Sequence, residues 1–318
     1  MEKLVELCFS LPPLSKTDVT GKLPKNCRFP IPYAKAELYH LPEGRLLVQH
    51  YKNYLFYLEW YEFNLHSELQ ASYRIKEPCL FLFFVLDGSI SFYTPYGESI
   101  YDAAKGMYYA TSNNTGEYLF RLPPGVHQLF YIVPKTDYLV KYPEDYPDLQ
   151  ALLENMEQDK NQYSHMPSVP IEGGLFLSML DLYKLNTAKI DDLEVEISKK
   201  CRALLKAYNK LVKLKLAQPV YLIMDYLEKN YADSGLTNQT LAGKFDLSEK
   251  TLIEHFRAEF NITPHAHLIS VRMHKARELL NEQKLRVNRV YILVGYNDLR
   301  SFGSQFSKFF GHPPSDSY

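Results

Sequence analysis

The chain has 318 residues, of which 46% are apolar and 23% charged, and its net charge is −1. That length favours about two domains, and the near-neutral balance gives no electrostatic sign of a nucleic-acid partner. No run of eighteen apolar residues occurs, which argues against a membrane span, and the four cysteines (Cys8, Cys27, Cys79, Cys201) have no metal-binding spacing and read as free thiols of a cytoplasmic protein.

At the start, Glu2 and Glu6 stand where a signal peptide needs a basic and then an apolar stretch. Residues 1–35 carry Pro12, Pro13, Pro24, Pro30 and Pro32, too many breaks for a useful helix, so an extended arm is expected. From about Glu37 to Val140, short apolar or alternating runs are separated by turn residues. The runs are Arg45–Tyr51, Tyr54–Phe63, Cys79–Leu86, Ser89–Tyr93, Gly106–Ala110, Tyr118–Leu122 and Gln128–Val133. Asp87–Gly88, Pro95–Tyr96–Gly97, Asn113–Asn114 and Pro123–Pro124–Gly125 punctuate them, a pattern of a small antiparallel sandwich or barrel. The 26 tyrosines lie heavily in this half and favour pleated, half-buried surfaces.

Catalysis is not expected here. His40, His50, His66 and His127 are isolated, without the paired spacing of a metal site, and no nucleophile elbow or phosphate-binding glycine loop occurs. No catalytic residue, metal ligand or cofactor is therefore assigned. The aromatic strands, Tyr54, Phe56, Tyr57, Trp60 and Phe81–Phe84, serve either as core or as the lining of an apolar pocket; no ligand is identified by them.

Pro143, Pro147, Pro167 and Pro170 mark the exit from the β region. An apolar seam then runs through Ile190, Leu193, Ile197, Cys201, Leu204, Tyr208 and Leu211, at spacings of three and four. Two uses of the seam stay open: packing on its own domain, or a homodimer interface through Ile197, Cys201, Leu204, Tyr208 and Leu211. Leu205 and Val212 widen the face enough for both.

The last hundred residues repeat one pattern. Ser248 opens a segment with Leu252 and Phe256 four apart, leading to Asn261 and Pro264. Fifty positions on, Asp298 opens another with Phe302 and Phe306, leading to Gly311 and Pro314. Ser and Asp are helix N-cap types, and apolar residues four apart make one buried stripe. Each is preceded by a short apolar segment and a turn, Leu241–Leu247 and Val290–Asn297. Helix, turn and capped helix is the helix-turn-helix arrangement, whose second helix enters a major groove.

Residues 219–318 resemble the DNA-binding region of the AraC/XylS family of bacterial transcription regulators. The matching residues are Leu241–Ala242, Ser248, Leu252, Phe256–Arg257, Pro264, Arg272, Ala276, Leu279–Leu280, Val294–Gly295–Tyr296, Phe302, Phe306, Gly311 and Pro314. The resemblance implies an α+β multidomain chain: a cupin-like antiparallel β-barrel with an N-terminal arm (1–142), a helical linker and dimerisation region (143–217), and an all-α domain with two helix-turn-helix motifs (218–318). It also implies that one monomer sets both capped helices into successive major grooves, roughly 34 Å apart.

With the apolar stripes turned inward, Lys250, Thr251, Glu254 and Arg257 are displayed by the first helix and Arg300, Ser301, Ser304 and Lys308 by the second. Phe260, and either Phe309 or Phe310, complete the inward faces. Arginine, lysine and serine can contact base edges, while Lys308 and Arg257 suit phosphates. Several positions depart from the family: Glu254 and Ser304 replace a frequent arginine, Tyr291 a small alanine, His267 an aromatic residue and Ser317 a tyrosine. Residues 219–318 hold twelve Lys/Arg against eleven Asp/Glu, a thin surplus for a DNA binder. The expected function is that of a dimeric regulator of promoter DNA, modulated by a small molecule and, if an activator, touching RNA polymerase. The alternative is a ligand-binding or protein-interaction protein whose DNA-binding domain has degenerated.

Overall fold

A computed structural model of the chain describes residues 4–97, 99–158, 163–185, 190–281 and 283–316; Ser317 and the side chain of Ile190 lie outside the described residues. The chain divides into two compact units, Met1–Lys213 and Leu214–Tyr318.

The first unit begins with β1 (Val5–Phe9), β2 (Ser15–Asp18), β3 (Lys35–Leu41), β4 (Gly44–Lys52), β5 (Phe56–Leu65), β6 (Leu69–Ile75) and β7 (Cys79–Asp87). It continues through β8 (Ser89–Tyr93), β9 (Ser99–Ala104), β10 (Met107–Asn113), β11 (Gly116–Leu122), β12 (Gly125–Pro134), β13 (Tyr163–His165) and β14 (Val169–Pro170). One sheet runs β1-β6-β11-β8-β9 and the other β13-β10-β7-β12-β5-β4-β3-β2, with β14 also on β10. Neighbouring strands pair antiparallel, as in the register Leu129 to Val85 and Phe130 to Phe84.

Alternation along the strands decides what meets what. On β7, Phe81, Phe83 and Val85 enter the core between the sheets. Phe84 points the other way and stacks on Tyr108, with ring centroids 4.9 Å apart. That outer face is covered by helices, which is why β7 reads as one continuous apolar run. Helices α1 (Thr136–Lys141), α2 (Gln150–Gln158), α3 (Gly173–Tyr183) and α4 (Ile190–Leu216) follow. Tyr208 of α4 meets Tyr108 edge-on at 5.4 Å, and Tyr183 of α3 meets Trp60 at 6.2 Å.

The seam of α4 is therefore filled by its own domain. Ile197, Cys201, Leu204, Leu205, Tyr208 and Val212 are fully buried within the chain. Two polar bonds lock the register: the Asn53 amide donates to Ser198 at 3.0 Å, and the Tyr208 hydroxyl to the Pro167 carbonyl at 2.9 Å. As an interface between copies the seam is corrected, because Ile197, Cys201, Leu204 and Tyr208 have no surface left to present. Leu211, 37% exposed, does.

His127 is structural. Its Nδ1 accepts from the Ser89 N–H at 3.1 Å, and its Nε2 lies 2.7 Å from the Pro123 carbonyl, so the described geometry suits a neutral ring protonated on Nε2. The ring also dictates Gly88: φ there is +75°, and a Cβ would stand 2.3 Å from the imidazole.

The second unit contains α5 (Pro219–Lys229), α6 (Asn238–Lys244), α7 (Glu249–Phe260), α8 (Pro264–Asn281), α9 (Val287–Leu293) and α10 (Leu299–Phe310). It has two small cores. One gathers Ile223, Leu227, Leu241, Leu252, Phe256 and Leu268; the other gathers Met273, Ala276, Leu280, Val290, Phe302 and Phe306. Helix α8 supplies residues to both and so holds the two halves in register.

Candidate nucleic-acid interface

Helices α7 and α10 start, turn and stop by the same devices. The Ser248 hydroxyl accepts from the Thr251 N–H at 3.1 Å, and the Asp298 carboxylate from the Ser301 N–H at 2.7 Å. Each cap satisfies a backbone donor that the helix itself leaves orphaned. In the turns before them, Asp246 (φ +53°) and Gly295 (φ +80°) take the left-handed conformation. The Leu247 N–H then reaches the Ala242 carbonyl, and the Tyr296 N–H the Tyr291 carbonyl, both at 2.9 Å. At the far ends Asn261 and Gly311 are left-handed again, their N–H groups bonded to Arg257 and Ser307 carbonyls at 2.9 Å.

Arg272 of α8 braces the framework. Its guanidinium donates to the Tyr231 and Asp233 carbonyls at 2.8 and 2.7 Å and lies 5.5 Å from the Tyr296 ring. Gly295 fits beneath, since a Cβ there would meet the Tyr231 carbonyl at 2.6 Å. His267 does the work of an aromatic residue: its ring lies 5.8 Å from Phe256 and its Nε2 3.2 Å from Glu228. Tyr291 is half-buried at the edge of the second core.

The outward faces follow from this packing. Leu252, Phe256, Phe302 and Phe306 are buried, while Phe260 and Phe310 pack at the core edges. Phe309 is 39% exposed, so Phe310 is the ring that turns inward. Lys250, Glu254, Arg257, Arg300, Ser301, Ser304 and Lys308 are exposed. Thr251 differs. It is half-buried, and its hydroxyl sits 2.8 Å from Ser248 Oγ, so it serves the cap before any ligand. Lys250 and Glu254 approach one another at 3.9 Å across one turn of α7.

Electrostatics separates two motifs that geometry makes alike. Residues 237–260 hold three Lys/Arg against four Asp/Glu, and residues 286–310 hold four against one. Lys244 of the first set also lies 4.5 Å from the Tyr226 ring. Arg286 and Arg289, both exposed, belong to the second set but lie outside the two capped helices, so only a charge count along each whole motif draws them in. The Asp298 carboxyl is held below the usual aspartate range by the Ser301 backbone N–H and hydroxyl, so the acid of the second motif is committed to its cap.

In the β unit, a cavity of about 70 Å³ lies between the sheets. Of the aromatic residues named as candidate lining, Phe81 and Phe83 face it. Phe56, Trp60 and Phe84 point to the opposite sheet face, Tyr57 packs elsewhere in the core, and Tyr54 is exposed. Among the described residues, no group of three or more His, Cys, Asp or Glu side chains could hold a metal ion.

A family model described as a helix-turn-helix domain matches residues 241–317. The Msm operon regulatory protein of Streptococcus mutans serotype c is 27% identical over 154 residues, 48% of this chain and 50% of that protein. The transcriptional activator RhaS of Escherichia coli O6:H1 is 24% identical over 200 residues, 62% of this chain and 64% of that one. The raffinose operon regulatory protein RafR of Pediococcus pentosaceus is 29% identical over 104 residues, 33% and 37% of the two chains. This chain thus spans between 37% and 64% of the length of these relatives. Among solved structures, the C-terminal domain of the response regulator yesN of Fusobacterium nucleatum is 32% identical, with 30% of this chain and 93% of that one covered and a TM-score of 0.30. The DNA-binding domain of AdpA in complex with a target DNA is 21% identical, with 31% and 89% covered and a TM-score of 0.30.

Proposed function

From a chain whose C-terminal unit is a helix-turn-helix domain of the AraC/XylS type, preceded by a mostly antiparallel β unit, we propose a cytoplasmic one-component transcription regulator. It binds double-stranded promoter DNA through α7 and α10. The observation that carries this reading is the pair of capped helices built alike on one bracing helix, each with its apolar stripe buried and its polar stripe exposed. Such a helix is held rigid while its outer face stays free for a groove.

The two helices contribute unequally. Arg300 reads a base edge and Lys308 neutralises a phosphate, while Lys250 must leave Glu254 before it can act. The α7 contact is the weaker one, and a second copy of the chain raises the effective concentration enough to compensate. The copies meet through surface that includes Leu211, away from the buried seam. The β unit is a cupin-like regulatory domain, and a small molecule in it favours one spacing of the two readers over another. An activator of this kind would also touch RNA polymerase.

A second reading, a ligand-binding or interaction protein with a degenerate reader, draws support from the acidic balance of the first motif and the Lys250–Glu254 pair. Selection of genomic fragments by the purified full chain at low and moderate salt separates the two. A recovered motif with half-sites about one helical turn apart is the expected result. No enrichment at either salt would favour the degenerate reader.

A further inference from the structure

The cavity between the sheets is walled by rings: Phe81, Phe83, Phe92, Tyr109 and Phe120, with Val5 of β1 beside them. Several meet edge to face, Phe83 and Phe92 at 84° and 5.5 Å, Phe81 and Tyr131 at 84° and 5.3 Å. Edges and faces together suit an aromatic guest, whose own quadrupole can meet either.

The polar groups that reach this wall are engaged by the protein. Tyr131 donates to Glu59, a carboxylate 1% exposed, and the Tyr61 hydroxyl lies 3.4 Å from that of Tyr131. The Thr111 hydroxyl donates to the Ser164 carbonyl at 2.9 Å, and the Asn113 amide to the Tyr73 hydroxyl at 3.4 Å. Tyr101 and His165 also line the cavity, their rings 4.7 Å apart and His165 at the exposed end of β13; deeper in, Tyr109 is buried. Among the described residues its hydroxyl makes no hydrogen bond, and burial pushes its phenol well above the ordinary range, so it remains a neutral donor. A sugar would bury more hydroxyls here than Tyr109 and His165 can receive, which costs binding for each one left unpaired. At about 70 Å³ the space is also far below the roughly 300–1,000 Å³ of drug-sized sites.

We propose that the effector of this protein is a small, mainly apolar molecule about the size of one aromatic ring, with a single hydrogen-bonding group that meets the Tyr109 hydroxyl. This rests on the reading of the β unit as an effector domain, and it sets the chain apart from a relative named for a raffinose operon.

The test is thermal unfolding of the full chain with phenol, toluene, glucose or raffinose, in the parent protein, Tyr109→Phe and Val5→Phe. Phenol should raise the midpoint saturably and toluene less, with no shift from either sugar. Tyr109→Phe should weaken phenol binding by about fivefold, the share of one neutral hydrogen bond, and leave toluene unchanged. Val5→Phe, which fills the cavity from the edge strand, should abolish both shifts while circular dichroism stays that of the parent. If Val5→Phe fails to fold, Tyr109→Phe still decides: equal phenol affinity in that variant overturns the proposal. A glucose or raffinose shift that Val5→Phe removes overturns the apolar class but leaves the effector domain standing. No shift with any probe, or shifts untouched by Val5→Phe in its folded form, overturns both.

Discussion

The helix-turn-helix motifs around α7 and α10 share their cap positions, their left-handed turn residues, their buried pairs four apart and their left-handed stops. They differ on the surface. The first displays Lys250 beside Glu254 within an acidic segment, and the second displays Arg300, Ser304 and Lys308 within a basic one. Folding constrains the inner stripe and the two ends of such a helix, and it leaves the outer stripe to the partner. Likeness of scaffold therefore does not carry likeness of affinity, and the two faces must be weighed separately.

The largest expected effect falls on what the motifs share. Phe256→Ala and Phe306→Ala each empty a fully buried ring site and should each cost about 3–5 kcal/mol. Because α8 feeds both cores, either change should melt the whole C-terminal unit in urea. Hydrogen exchange that stays slow around Leu252 in Phe306→Ala would show two independent halves instead.

The next effect separates the faces. Arg300→Ala should weaken DNA binding by roughly 1–3 kcal/mol and relax preference at one base position, whereas Lys250→Ala should cost less, since Glu254 already competes for that ammonium. Equal losses in titrations at one salt concentration would return the two helices to equal standing.

Glu254→Arg should make the first face resemble the second. General affinity should rise and the salt slope should steepen by about one phosphate contact. A loss of binding would instead identify Glu254 as a specific acceptor, for which a cytosine amino group is the natural donor.

The smallest effect distinguishes the caps. The folded-state value of the Asp298 carboxyl lies below its ordinary value of 3.8, so its contribution is complete above that value and is lost as pH falls through the lowered one. Ser248 does not titrate. Amide exchange in the first turn of α10 should thus accelerate on acidification relative to α7, and parallel behaviour would remove the cap as the cause.

Much of this was legible beforehand. The runs from Arg45 to Val133 correspond to β4, β5, β7, β8, β10, β11 and β12, because alternation and turn residues record themselves locally. The N-terminal arm is extended as its prolines require, but its pairing is not local: β1 joins the five-stranded sheet and β2 joins the other. Ser15–Asp18 is wholly exposed and held by backbone pairing to β3, so no apolar pattern marks it. In the C-terminal unit, the exposed faces of α7 and α10 are legible from the spacing of Leu252, Phe256, Phe302 and Phe306. The engagement of Thr251 with Ser248 was not, because a hydroxyl three residues past a cap can turn either way.

The sequence by itself determined the tandem motif, the caps, the strand runs and the presence of an apolar stripe on α4, all of which depend on neighbours within a few residues. Tertiary structure alone decided what covers that stripe, which of Phe81 to Phe84 face the cavity, and which of the cavity's polar groups, Thr111 and Tyr131 among them, are paired within the protein while Tyr109 is not. An apolar stripe states that it must be buried, but the burying surface comes from the β region a hundred or more residues away, where Asn53 meets Ser198 and Tyr108 meets Tyr208. Local pattern carries no record of that choice, because the free energy of burial depends on area removed from water and not on which segment removes it.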